Sequence, residues 1–115
     1  MARAFTIASI MAIISNSAGA IGDLIRFKPF METLKQVGVS ESWATPFGVL
    51  KAAGVVGVTL GLRGMPMVGI VAALGLTVFY TGAILTHVRA NDRAIGPATG
   101  YLVIAASTLV LSLLA

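Results

Sequence analysis

Residues 47–62 read FGVLKAAGVVGVTLGL. Almost every position suits hydrocarbon, and the exception is Lys51 near the middle. With the residues from Ala44 onward the run is long enough, at about 1.5 Å rise per residue, to cross a hydrocarbon core near 30 Å thick. Within lipid every backbone N–H and C=O must be satisfied inside the segment, so the run is a helix.

Three further segments have the same character. The spans are expected at about 5–22, 44–62, 65–86 and 95–115. The chain of 115 residues is 57% hydrophobic and 10% charged, with a mean hydropathy of +0.97. A soluble domain carries about 25% charged residues, and a chain this short cannot hide so much apolar surface from water. The expected fold is an all-α membrane protein, a single integral membrane domain over residues 1–115.

The connections are short. RGMP joins the second and third spans, and VRANDRAIGP joins the third and fourth. Short links force antiparallel neighbours, which gives an up-down four-helix bundle. Pro66 and Pro97 stand at span starts, where proline is tolerated. The connection after the first span is longer. In it Phe27, Phe30, Met31 and Leu34 follow a helical spacing. We read the segment 24–40 as interfacial, with a short amphipathic helix from about Pro29 to Val37 at headgroup depth. SESW then supplies the N-cap of the second span, with Trp43 at the membrane boundary.

Arg3, the apolar stretch after it and SAGA at 17–20 together imitate a secretory leader. We read this first span as a retained transmembrane helix.

The eight Lys and Arg residues give a formal charge of +4, but they are scattered over the span ends and form no basic face. Membrane lipids, not nucleic acid, are the expected partners. The face holding Arg26, Lys28, Lys35, Arg89 and Arg93 is richer than the face with Arg3 and Arg63. That count places both termini outside. There is no cysteine, so no disulfide, thiolate metal site or dithiol centre is expected.

Polar residues inside the spans carry the functional content. Ser9, Asn16 and Asp23 are spaced by seven and share one stripe. Tyr80 and His87 are also seven apart. Asn16, Lys51 and Tyr80 each fall roughly 10 Å inward from the same face, while Asp23, Trp43 and His87 fall at its rim. A lysine at mid-span costs on the order of 2.5–3.5 kcal/mol. That cost falls if the amine turns into the bundle, toward Asn16 and Tyr80, or outward to Asp23. Gly48 and Gly54 flank Lys51, and Gly57 with Gly61 form a G-x-x-x-G pair. Small residues allow close helix approach, so the lysine side of this span is expected to face protein.

Three readings of Lys51 stay open. It locks helix packing or snorkels to headgroups; it lines a polar pocket with Asn16, Tyr80, Asp23, His87 and Arg89; or it is a catalytic amine. No adjacent nucleophile or metal cluster supports the last. His87 is the only histidine, so one subunit cannot supply a bis-histidine haem. Beside Arg89 it suits a headgroup contact, a helix cap or proton handling.

KQVGVSESW leading into FGVLKAAGVVGVTLGL, with FYTGAILTHVRANDRA at the end of the third span, resembles the DoxX-like family of small bacterial membrane proteins. The resemblance covers essentially the whole chain. It implies a four-helix bundle in the bacterial cytoplasmic membrane, with marked positions at Gly48, Lys51, Gly54, Gly57, Gly61, His87, Arg89 and Asp92. It also implies association with quinol oxidation and membrane redox partners. The wider fold group is similar to the vitamin K epoxide reductases, whose cysteines this chain lacks. That group usually has its N-terminus inside, opposite to the charge count.

Three functions follow as expectations. The first is a non-catalytic accessory subunit or homo-oligomer, with no intrinsic cofactor and a site around Lys51 open to lipid or quinone. The second is a subunit of a quinol-linked oxidoreductase whose partner carries the electrons. The third is a small transporter. The small multidrug resistance transporters share length and span number but rely on a buried carboxylate in the first helix, and here no acid lies deeper than Asp23. A basic site suits an anion or a polar molecule.

Overall fold

A computed structural model of the chain describes residues 2–91 and 96–114. The elements are α1 (Ala2–Leu24), α2 (Lys28–Gln36), a 3-10 turn (Glu41–Trp43), α3 (Ala44–Leu62), α4 (Pro66–Arg89) and α5 (Gly96–Leu114). No strand occurs among the described residues. Asp92, Arg93 and the outermost residues of the expected fourth span, Ile95 and Ala115, lie outside them.

Four of these helices, α1, α3, α4 and α5, are long and apolar enough to cross a membrane. The protein is a multi-pass integral membrane protein. Its longest dimension is 39 Å, enough for a hydrocarbon core of about 30 Å and part of each interface. The spans close a ring in which α1 packs on α3, α3 on α4, α4 on α5, and α5 back on α1.

The spans turn most of their bulky apolar residues outward and bury mainly small or polar ones, with Val58, Leu76 and Tyr80 as inward-facing large side chains. On α1, Ile7, Ile14 and Ile21 are 58%, 66% and 60% exposed, whereas Ser9, Asn16 and Asp23 are 0%, 1% and 5% exposed. The two stripes are offset by two residues, about 200° around a helix of 3.6 residues per turn. In water this arrangement would be inside out. In lipid, acyl chains solvate isoleucine as well as a protein interior does, so close packing and hydrogen bonding decide what faces inward.

Glycines set the α3–α4 contact. A Cβ on Gly61 would stand 2.8 Å from the Gly69 Cα, and one on Gly54 would stand 2.7 Å from Leu76 Cδ2. Gly57 lies against the Ala72 methyl. The Gly57–Gly61 pair is thus the seam on which α4 rides. Val58, Leu76, Tyr80 and Ala105 form the core cluster beside it.

The amphipathic helix α2 begins with Pro29 in its first turn. Met31 is its buried residue, and the Phe30 ring sits directly against Gly22 of α1. Ser40 caps the 3-10 turn, accepting from the Ser42 N–H at 3.3 Å. The serine therefore starts a separate turn before α3, whose own cap, Trp43, makes no side-chain hydrogen bond. Trp43 is half exposed and stacks on Phe47, with centroids 5.9 Å apart.

Candidate functional site

Antiparallel packing brings the C-terminal half of α1, the N-terminal half of α3 and the C-terminal half of α4 to one end of the bundle. Their polar side chains meet there as two pairs. Lys51 Nζ donates to Asp23 Oδ2 at 2.7 Å. The side chains are 13% and 7% exposed, so the ion pair is held largely out of water. Inward of it, the Tyr80 hydroxyl donates to Asn16 Oδ1. Asn16 in turn donates through Nδ2 to the Ala12 carbonyl at 2.9 Å, which fixes the orientation of its amide.

The two pairs have different geometry. Lys51–Asp23 joins neighbouring helices, α3 and α1. Tyr80–Asn16 crosses the ring from α4 to α1. Lysine and asparagine sit at one depth by residue count, yet each takes another partner. The reason is local. Gly19 leaves room for the lysine stem, which runs along α1 with its Cδ 3.2 Å from the position a Gly19 Cβ would take. That path carries the amine outward to Asp23. Gly48 serves the same approach, since a Cβ there would stand 2.7 Å from Leu24 Cγ and 3.2 Å from the Ala20 carbonyl.

An aromatic row runs from the boundary into this centre. Phe47 meets Phe79 with centroids 5.1 Å apart, Phe79 meets Tyr80 at 5.0 Å, and Tyr80 stacks on Tyr101 of α5 at 5.2 Å. The Lys51 ammonium lies 5.6 Å from the Phe79 ring centroid, within cation–π reach. Gly19, Phe79 and Tyr101 belong to the site, and the two aromatic residues were not singled out from sequence. The spacing of Trp43 and Phe47, one helical turn apart, was the available signal for the row. Gly19 carried a signal too, four residues before Asp23 on the same stripe.

His87 is buried at the rim, two turns from Tyr80 on the inward face of α4. Arg89 is exposed in the last turn of the same helix. The residues drawn together are therefore Asn16, Asp23, Lys51 and Tyr80, with His87 at the edge and Arg89 at the surface. Lys51 and Asp23 fill the space between their helices. Two cavities, of about 240 and 290 Å³, are lined by other residues.

Chemically the site offers a fixed positive charge, a carboxylate that neutralises it, and a neutral hydrogen-bonded pair beneath. An ammonium has three N–H donors, and one of them is directed at Asp23. No group of three or more His, Cys, Asp or Glu residues able to hold a metal ion occurs among the described residues.

Comparison with curated proteins and with solved structures gives no match. The model of the DoxX-like family matches residues 7–113, a stretch that contains both polar pairs, α3 and α4 entire, and all but the outermost residues of α1 and α5. The chain belongs to the DoxX-like family.

Proposed function

We propose that this protein is a non-catalytic component of the bacterial cytoplasmic membrane, a homo-oligomer or an accessory subunit of a larger complex. In this reading Lys51 receives the polar head of a membrane-soluble molecule, a lipid or a quinone. The observation that carries it is the 2.7 Å ion pair between Lys51 and Asp23. Removing two charges from water is costly, and a well-packed apolar pair serves stability equally well. Ionisable residues at membrane depth are therefore read first as functional. Here the ammonium keeps N–H donors beyond the one directed at Asp23, and the lysine side chain is the more exposed of the two. A phosphate or carbonyl oxygen reaching the pair from the headgroup level would take one of the remaining N–H donors while Asp23 keeps its own.

The pairing dictates the test. Lys51→Met alone strands a buried carboxylate, so loss of fold and loss of ligand would be confounded. The double variant Asp23→Asn with Lys51→Met removes both charges and keeps the volume. Phospholipid and quinone retained by the purified particle are then extracted and quantified by mass spectrometry. The reading expects a folded double variant that retains less of one of them than the unaltered protein. Equal retention by both proteins would reduce the ion pair to a packing device.

A further inference from the structure

At the end of the bundle remote from Lys51, the four spans surround a cavity of about 240 Å³. Phe5 and Ser9 of α1, Val58 of α3, Pro66 of α4, and Thr108 and Ser112 of α5 are in its lining. Ser9 is 0% exposed, and its Oγ is the one buried side-chain polar atom among the described residues with no hydrogen-bond partner. A serine within a helix ordinarily bonds back to the carbonyl one turn earlier. Thr59, Thr77, Thr81 and Thr86 each do so here. Ser9 does not.

The other two hydroxyls have opposite hydrogen-bonding capacity. Thr108 Oγ1 donates to the Ile104 carbonyl at 2.9 Å, and Ser112 Oγ donates to the Thr108 carbonyl at 2.6 Å. With their protons committed, their oxygens can only accept. Ser9 can donate. The complement of this set is a group that accepts one hydrogen bond and donates another, which is a hydroxyl. No charged side chain is in the lining, so a charged head would be desolvated without compensation. The remaining walls are apolar. A cavity of about 150 Å³ suffices for benzene, so this one accommodates a substituted ring. Water alone fits poorly, because each buried water needs about three polar partners and three hydroxyls cannot serve a cavity full of them.

We propose that this cavity binds a neutral, hydroxyl-bearing apolar group of about single-ring size, the hydroxyl accepting from Ser9 Oγ and donating to Thr108 or Ser112. The group belongs either to a membrane lipid or to a free small alcohol or phenol. The site is independent of Lys51. Ser9 and Asp23 lie fourteen residues apart on α1, about 21 Å at 1.5 Å per residue.

Fluorine NMR of the purified protein in detergent micelles, with para-fluorophenol and fluorobenzene as probes, tests the assignment. The protein is expected to hold the phenol about tenfold more tightly than fluorobenzene, after correction for micelle partitioning. Ser9→Ala removes no internal hydrogen bond, so it folds. It is expected to abolish that preference while leaving fluorobenzene binding intact. Ser9→Leu fills the cavity and is expected to remove both. A missing bound resonance in the unaltered protein, the result for a cavity that takes only water, overturns the proposal. So does a phenol preference that survives in Ser9→Ala. Mass spectrometry of the particle as isolated separates the sources. A lipid adduct that disappears in Ser9→Leu assigns the hydroxyl to a lipid, and phenol binding with no such adduct assigns it to a free molecule.

Discussion

Lys51 of α3 and Asp23 of α1 are 2.7 Å apart, and the lysine reaches that distance by laying its stem across Gly19. The glycine and the ion pair form one unit. A methyl group at position 19 would press on the stem, with its carbon 3.2 Å from Lys51 Cδ, and the stem would have to give by a few tenths of an ångström.

The first prediction concerns the ionic pair itself. Each single variant, Asp23→Asn or Lys51→Met, is expected to cost on the order of 3 kcal/mol, because it leaves one buried partner uncompensated. The double variant is expected to recover most of that loss. Unfolding titrations of the four proteins in mixed micelles give the coupling energy directly. Additive losses would mean that the two charges do not depend on one another.

The neutral pair should behave differently. Tyr80→Phe deletes a donor and leaves Asn16 Oδ1 buried, at an expected cost of about 1 kcal/mol. The ring keeps its stack on Tyr101, so the fold should survive. A cost near that of the charged variants would show that Tyr80 also supports Lys51.

Glycine substitutions offer a contrast within one pair of helices. Gly61→Ala and Gly69→Ala each place a methyl carbon within 2.9 Å of opposing backbone, which cannot swing aside. Each is expected to cost about 1–3 kcal/mol. Gly75 and Gly82 meet nothing within 4 Å, so their alanine variants should be neutral or slightly stabilising through helix propensity. Thermal melts in detergent distinguish the two groups, and equal effects at all four positions would contradict the packing described here.

The interfacial helix provides the fourth prediction. The Phe30 ring occupies the space over Gly22, so Gly22→Leu is expected to push α2 off the end of α1. Trypsin should then cleave after Lys35 faster than in the unaltered protein, while the spans stay protected. Unchanged cleavage would mean that α2 is held by the membrane and not by α1.

Much of the fold could be read directly from the chain. Four apolar runs of spanning length, broken by Pro66, Pro97 and short polar links, leave little freedom in lipid, because unpaired backbone there is too costly. The inward stripe on α1 was equally legible, since residues seven apart share a face whatever lies opposite. The interfacial helix was expected from about Pro29 to Val37 and spans Lys28–Gln36. Less legible was the start of α3. The first serine of SESW, Ser40, reads as a helix cap, but it caps a short 3-10 turn that precedes α3.

By itself, then, the sequence determined which segments are long and apolar enough to cross the membrane, which face of α1 turns inward, and that Asn16, Lys51 and Tyr80 fall at one level by residue count. Depth follows from rise per residue and needs no knowledge of neighbours. Only the tertiary structure decided who meets whom: lysine with Asp23 along α1, tyrosine with asparagine across the ring, and Gly61 against Gly69. Those pairings depend on the order of helices around the ring and on the rotation of each about its axis. Both are settled by the close fit of small residues between helices, a property of two surfaces together that no single run of residues contains.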